Sequence, residues 1–207
     1  MFIPRQPVVE NQFCSYGESD TTAGIGGVIA YAGSVVYLDS AAANEEPIVF
    51  KMAYNASPFV PFGFLMQKVK TGYHQVHPSA FVMPGDLGSS DAIAQSKYNS
   101  TGVISGTKAV PAGVAHMGIW DTVHYTSTMV ANTVTTKLAP GDSLYSANDE
   151  AKVTNNVTLA ADADDLATGE CVSTVVVAKV LKGASIAKCQ ANIDNTTLYP
   201  IRIKLLV

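Results

Sequence analysis

The closing stretch "IRIKLLV" (201–207) gives the clearest indication of the fold. Ile201, Ile203 and Leu205 alternate with Arg202 and Lys204. A period of two places the apolar side chains on one face of a strand and the cations on the other. Similar runs of β-branched and aromatic residues, bounded by Gly, Pro, Asn or Asp, recur along the chain. They are "SVVYL" (34–38), "IVFKM" (48–52), "FGFLMQKVK" (62–70), "HYTSTMV" (124–130), "NTVTTKL" (132–138) and "STVVVAKVL" (173–181).

One of these runs, 173–181, is apolar on both faces as far as Lys179, which predicts a central strand covered on both sides. Helical patterns are scarce. "SSDAIAQSKYN" (89–99) predicts a short helix capped by Ser89 or Ser90, and "LAADADDLATGE" (159–170) predicts a turn of helix or a loop. The expected fold is therefore mostly β: a β-barrel or β-sandwich body with an extended N-terminal arm and at most one or two short helices.

Residues 1–20 are expected to form that extended arm, ahead of a β-rich body over 21–207. Pro4 and Pro7 disfavour helix and remove backbone donors. An arm that is extended and apolar lies against its own domain or against a neighbour. The arm's apolar residues are the predicted partner-binding residues, and they are Phe2, Ile3, Val8, Val9 and Phe13.

The tripeptide Pro-Gly-Asp occurs twice, at 84–86 and at 140–142. Proline presets φ for the second position of a type II turn, and glycine supplies the positive φ of the third. Each copy is expected to reverse the chain between strands, with its aspartate bonded to nearby backbone. The alternative, an aspartate acting as acid or base, has no accompanying carboxylate or histidine at a shared spacing.

A weak internal repeat surrounds these turns. "GSVVYLDSAAANEE" (33–46) resembles "GDSLYSANDEAK" (141–152), and "FLMQKVKTG" (64–72) resembles "VVVAKVLKG" (175–183). Two related β modules, at about 28–80 and 130–207, would explain the pattern. The alternative is coincidence among strand-rich sequences, which is favoured because a true array has three or more copies.

The composition narrows the classes of partner. Charged residues make up 14% of the chain and the net charge is −4, which argues against nucleic acid because phosphate binding needs concentrated positive charge. No Lys/Arg cluster is longer than a pair separated by one residue. The low charge fits either a compact β protein or a subunit largely covered by neighbours. The uncharged stretch 21–38 is rich in glycine and hydroxyl residues, so no membrane span is expected there. Residues 4–7 (Pro-Arg-Gln-Pro) interrupt the apolar N-terminus, so no signal peptide is expected.

No pattern of reactive residues predicts a catalytic, cofactor or metal site, and the protein is not expected to be an enzyme. "HQVH" (74–77) would bring two histidines together only on a helix or a bend. "WDTVHY" (120–125) supplies no nucleophile, and "ADADD" (161–165) lacks the spacing of a calcium loop. Cys14, Cys171 and Cys189 are expected to be reduced thiols, with a Cys171–Cys189 bridge as the alternative.

Several stretches of the second half resemble one family. "LAPGDSLYSANDEAKVT" (138–154), "TVVVAKVLKGAS" (174–185) and "YPIRIKLL" (199–206) are similar to capsid decoration, or cement, proteins of tailed bacteriophages. "AGVAHMGIWDTVHY" (112–125) has the character of phage structural proteins. The resemblance covers roughly residues 80–207.

The resemblance implies a non-enzymatic virion protein on the outer capsid surface, made in the host cytoplasm. Its partners would be the major capsid protein and further copies of itself, as a trimer or dimer, with no nucleic acid and no membrane. The arm residues would anchor it by adding a strand to a partner's sheet, with Trp120 and Tyr125 as core or interface aromatics. The alternatives are a tail-tube or head-fibre component, or a carbohydrate-binding β-sandwich that stacks sugars on exposed Tyr and Trp.

Overall fold

The structure, a computed structural model, is built mainly from β-strands, as the strand patterns predict. It describes residues 1–5, 11–16, 28–38, 48–53, 60–71, 92–94, 111–161 and 167–207. Within these ranges, no helix has both the length and the apolar character needed to cross a membrane.

The largest sheet among the described residues, here called the main sheet, is antiparallel throughout. Its strands, numbered along the chain and given in spatial order, are β1 (Phe2–Pro4), β10 (Ile119–Thr122), β16 (Ile201–Leu205), β15 (Ala178–Lys182), β13 (Ser143–Ser146) and β14 (Val153–Thr154). The alternation predicted for 201–207 is confirmed. Ile201, Ile203 and Leu205 are buried, whereas Arg202 is half-buried and Lys204 is exposed.

The strand predicted over 173–181 is shorter than expected and is covered on one face only. β15 begins at Ala178, and within it Ala178 and Val180 are buried while Lys179 is half-buried and Leu181 is exposed. The prediction of a doubly covered strand was wrong, because the apolar run Val175–Val177 precedes the strand. Of those valines only Val177 is fully buried, and its backbone N–H donates to the carbonyl of Leu144 on β13 at 2.8 Å.

A second group of strands closes into a small barrel. In spatial order its strands are β2 (Asn11–Tyr16), β5 (Ile48–Lys51), β4 (Val35–Leu38), β6 (Pro61–Leu65) and β9 (Pro111–Ala115). The β2–β5 pair is parallel and the other pairs are antiparallel. Its buried side chains include Tyr16, Val49 and Val114.

The barrel and the main sheet share a core. Along β4, Val36 packs in the barrel cluster while the adjacent Val35 packs with the main-sheet residues. Along β6, Leu65 and Phe64 divide in the same way. Successive side chains of a strand point to opposite faces, so these two strands are covered on both sides and join the two halves of the fold.

The remaining described strands are short. A small sheet contains β3 (Val28–Ala30), β7 (Val69–Thr71) and β8 (Ala92–Ala94), and a hairpin contains β11 (Met129–Val130) and β12 (Thr133–Val134). The run predicted as one strand over 62–70 is therefore divided between β6 and β7. The helix predicted over 89–99 is wrong at 92–94, which pair with β7 in parallel. The rest of that stretch lies outside the described residues.

The helix of the described chain, α1 (Ile186–Ile193), was not predicted. Its helical periodicity is weak because the helix has only eight residues. Any longer stretch of sequence around it is dominated by residues of the flanking strands. Ser185 occupies the N-cap position without a side-chain cap bond. Cys189 and Asn192 are buried on its inner face, and the amide of Asn192 donates to the carbonyls of Val123 and Tyr125.

The strand predicted over 124–130 is realised only as β11. Residues 124–127 are buried without being part of a strand. Their polar side chains are bonded internally: for example, Ser127 Oγ donates to the carbonyl of Thr136 at 2.6 Å. Tyr125 forms a parallel bridge with Val153 beside β14. The content of β-branched and aromatic residues predicted a strand, but the buried hydroxyl groups favour an irregular path.

In both proposed modules, a strand that follows a glycine pairs antiparallel with a later strand. β4 pairs with β6 through Val35 and Phe64, and β13 pairs with β15 through Leu144 and Ala178. The registers differ, because the repeat matches Leu144 with Val36 and Ala178 with Gln67, whereas Val36 pairs with Gly63. The division into modules stays a prediction.

Candidate functional site

The described parts of the predicted arm lie against the chain's own sheets. β1 is an edge strand of the main sheet, paired with β10 from Phe2–Thr122 to Pro4–Trp120. β2 is a barrel strand paired with β9 and β5. The two described strands of the arm are therefore integral to this chain's own fold, and the division into an arm and a body stays a prediction.

Phe2 lies in the shared core. Its ring stacks on Trp120 with centroids 4.3 Å apart and on Phe64 with centroids 5.8 Å apart. Only 3% of Phe2 is exposed, and Trp120 is fully buried. Aromatic pairs of this kind contribute about 0.5–1.5 kcal/mol beyond the area that they bury. In this conformation Phe2 is a core residue, and its contact with another protein stays a prediction.

The other predicted arm anchors are not gathered around Phe2. Ile3 is half-buried on the opposite face of β1. Phe13 pairs through its backbone with Gly113 in the barrel, and nothing about its side chain is described. Val8 and Val9 lie outside the described residues.

An ion cluster fixes β1 to the main sheet. Oδ2 of Asp121 on β10 accepts a bond from Nε of Arg5 at 2.7 Å, and Oδ1 accepts one from Nε of Arg202 at 2.8 Å. Nη2 of Arg202 lies 3.3 Å from Oδ2 of Asp121. The bonds from Arg202 and then Arg5 outweigh burial and hold the pKa of Asp121 below its ordinary value. Because Arg5 follows β1 while Asp121 and Arg202 lie on the neighbouring strands β10 and β16, this cluster stabilises the edge of the sheet at β1.

A buried serine–histidine pair is the arrangement that sequence analysis missed. Nε2 of His124 lies 3.0 Å from Oγ of Ser34 and 3.1 Å from the carbonyl oxygen of Glu150. Oγ of Ser34 donates to the same carbonyl and accepts from the backbone N–H of Tyr31. No sequence signal links Ser34 to His124, because 90 residues separate them and only the packing of the barrel on the main sheet brings them together.

The environment of this pair favours a structural role. Ser34 is fully buried and His124 is 7% exposed, so a substrate has no access to the hydroxyl in this conformation. Burial is the main reason that the pKa of His124 falls from 6.5 to about 3, and the nearby positive charges of Lys152, the N-terminus and Lys51 lower it further. A neutral imidazole therefore bonds the barrel, the end of β10 and the turn before β14 to one another.

The turn that carries Glu150 is strained. Glu150 and Ala151 have φ values of 52° and 54°, which is the left-handed region that only glycine adopts without a steric cost. The backbone N–H of Val35 donates to the carbonyl of Ala151 at 2.9 Å. Both residues of the turn thus offer their carbonyl groups to the barrel, which gives a structural reason for the strained conformation.

The second Pro-Gly-Asp copy has the predicted geometry. Gly141 has a φ of 94°, and the N–H of Asp142 donates to the carbonyl of Ala139 at 3.1 Å, which closes the turn. Oδ2 of Asp142 accepts from the N–H of Ala139 at 2.8 Å. The prediction that this aspartate bonds its own backbone is confirmed. The first copy, at 84–86, lies outside the described residues.

The other candidate residues are structural or undescribed. Trp120 and Tyr125 are fully buried, so both are core aromatics and neither offers a surface for stacking a sugar. His116 bonds the carbonyl of Phe62 through Nδ1 at 2.8 Å. "HQVH" (74–77) lies outside the described residues, as do the last four residues of "ADADD" (161–165). Within the described ranges, no three His, Cys, Asp or Glu side chains are grouped so as to hold a metal ion.

All three cysteines are free and buried, so the alternative of a Cys171–Cys189 bridge is wrong. Burial raises the pKa of Cys14 to about 11 and raises the pKa values of Cys171 and Cys189 as well. Buried thiols with raised pKa values are poor nucleophiles.

Comparison of the chain with protein-family models finds no match, and comparison with curated proteins finds none either.

Proposed function

We propose that this protein is a non-enzymatic virion structural protein that decorates the outer surface of a phage head and bridges neighbouring major capsid proteins. The observation that carries the proposal is where the resembling stretches lie in the fold. They supply β13, β15 and β16, which are adjacent strands of the main sheet. The resemblance therefore extends over one continuous structural unit.

Two further features support the proposal. The chain has few charges for its length, which suits a subunit with large covered surfaces, because charged residues are depleted in interface cores. The Ser34–His124 pair, the described arrangement closest to a catalytic one, is buried. Many identical contacts per particle would add up through multivalency, so each copy, as a trimer or dimer, would need only modest affinity for the capsid.

The test is the abundance of the protein in purified virions. A decoration protein is expected at a fixed ratio to the major capsid protein, and the purified chain is expected to rebind heads from which it has been stripped. Quantitative mass spectrometry of gradient-purified particles measures the ratio. Absence from the particles, or only a few copies per particle, would contradict the proposal, and enrichment in isolated tails would favour the tail alternative.

The contribution of the arm is best tested in the full-length chain. Deleting residues 1–20 would remove Phe2 from the core and β2 from the barrel, so the deleted protein would lose its fold along with any binding. Replacing Val8 and Val9 with serine changes the predicted anchors without touching Phe2. Rebinding to stripped heads is expected to fall, and a circular dichroism melting curve of the variant checks that any fall is not caused by unfolding. Unchanged rebinding would show that neither valine belongs to the interface.

A further inference from the structure

The outward face of the main sheet gathers cations that are far apart in the sequence. Register places Lys204 of β16 directly opposite Lys179 of β15, and Arg202 directly opposite Lys182. Arg5, which follows β1, donates its backbone N–H to the carbonyl of Ile119. Ile119 pairs with Lys204, so Arg5 lies in the same row across the sheet as Lys204 and Lys179. The cationic face is defined by Arg5, Lys179, Lys182, Arg202 and Lys204.

This arrangement opposes folding stability. Residues directly opposite on antiparallel strands have Cβ atoms about 4.5–5.5 Å apart, and like charges in such pairs are destabilising. The cationic face contains two such pairs side by side. Lys179 bonds only neutral groups, with Nζ 2.7 Å from Oγ of Ser143 and 3.4 Å from the carbonyl of Gly141. Among the described residues, no carboxylate lies within 4.0 Å of Lys182 or Lys204, and both are exposed.

The carboxylate of this face is already engaged. Asp121 is 6% exposed and lies between Arg5 and Arg202, so it cannot also neutralise the lysines. Among the described residues, five cations and one carboxylate give the face a charge of +4.

We propose that the cationic face is a docking surface for a carboxylate-rich surface of a different protein. Its charge calls for an anionic partner, and that partner would relieve the repulsion within the two like-charge pairs. Ile3 and Ile119 lie among the cations in the same rows of the sheet and are half-buried. Apolar residues among charges suit a protein surface better than a phosphate backbone, and the net charge of −4 opposes a long nucleic acid. Two copies meeting through this same face would repel each other.

A labelled peptide of twelve glutamates serves as the probe, with binding to the full-length chain followed by fluorescence anisotropy at low salt. We expect Lys182→Gln combined with Lys204→Gln to weaken binding about tenfold. The matched control, Lys137→Gln with Lys188→Gln, removes the same charge from exposed lysines outside the face and should change binding less than twofold. The face variant should melt at the same temperature as the original chain or higher, because it loses a repulsion.

Several outcomes would overturn this assignment. They are absence of peptide binding by the original chain, an equal loss in the control, and tighter binding of a twelve-nucleotide single strand than of the peptide. Self-association in sedimentation velocity that the face variant abolishes would assign the face to a second copy and would equally overturn the choice of a different protein.

The identity of the partner as the capsid rests on the proposed function, and a second arm of the experiment separates the two ideas. Peptide binding that depends on Lys182 and Lys204, without rebinding to stripped heads, would support the cationic face and contradict the decoration role. Equal rebinding by the original chain and the face variant would support the decoration role and overturn the cationic face as the docking surface.

Discussion

His124 shows how one side chain can tie the stability of this protein to pH. Its imidazole is neutral and buried, and it bonds Ser34 and the carbonyl of Glu150. Protonation would add a positive charge near those of Lys152, the N-terminus and Lys51. This charge destabilises only the folded state, because in the unfolded chain the protonated imidazole is solvated by water.

The expected result is a loss of stability as the pH falls. In the unfolded chain His124 takes up a proton near pH 6.5, whereas in the folded protein the pKa is about 3. The free energy of unfolding should therefore fall by up to about 1.4 kcal/mol per pH unit below pH 6.5, with this contribution levelling off near pH 3. Urea unfolding at pH 7.5, 6 and 5 measures the slope.

His124→Gln should flatten this slope while lowering stability at pH 7.5, because it removes the titrating group and part of the hydrogen-bond network. His116→Gln is the matched control, since it leaves His124 in place and should retain the slope due to His124. An unchanged slope in the His124 variant would show that other groups cause the acid sensitivity.

Phe2 gives a second prediction for a single residue. Phe2→Ala should lower the free energy of unfolding by about 3–5 kcal/mol, the usual cost of deleting a buried phenylalanine. Ile3→Ala, on the half-exposed face of the same strand, should cost about 1 kcal/mol or less. Equilibrium urea unfolding compares the two variants. Equal small effects would mean that β1 leaves the sheet in solution, which would make Phe2 available to a partner.

At the scale of elements, the features that were predicted correctly are those that depend on local sequence. The alternation of β16 and the turn at Gly141 depend on neighbouring residues alone, and both were predicted. The cationic face and the Ser34–His124 pair depend on strands paired across long separations, which no local pattern specifies. Along the sequence, no basic cluster is longer than a pair such as Arg202 and Lys204. The other cations of the face join this pair only through strand pairing.

The hairpin of β11 and β12 offers a sharp test of backbone strain. Its turn residues Ala131 and Asn132 have φ values of 48° and 65°, which suit glycine and asparagine better than alanine. Ala131 is exposed, so Ala131→Gly removes few contacts and should raise the free energy of unfolding by about 0.5–1 kcal/mol.

The control for the hairpin is the same substitution in a regular helix. Ala187 is exposed in α1, and Ala187→Gly should lower the free energy of unfolding by about 1 kcal/mol. Thermal melts of the two variants should therefore shift in opposite directions. Shifts of the same sign would mean that the turn at Ala131 is not held in the left-handed conformation.

At the scale of the whole molecule, the main sheet takes part in the shared core and also carries the cationic face. The shared core joins β4 and β6 of the barrel to the main sheet, while the outer face of that sheet carries the two like-charge pairs. A rigid body with one charged face would favour a defined orientation when it approaches an anionic surface. Because of this shared core, the two proposed modules are not expected to unfold independently.

The last prediction follows from this shared core. The protein contains one tryptophan, Trp120, whose fluorescence reports on the main-sheet side of the core, whereas far-ultraviolet circular dichroism reports on all strands. Because Val35, Met52 and Phe64 from the barrel side pack in the same cluster as Trp120, both probes should give one coincident urea transition. Separate midpoints would show that the barrel and the main sheet unfold as independent units, as two autonomous modules at 28–80 and 130–207 would.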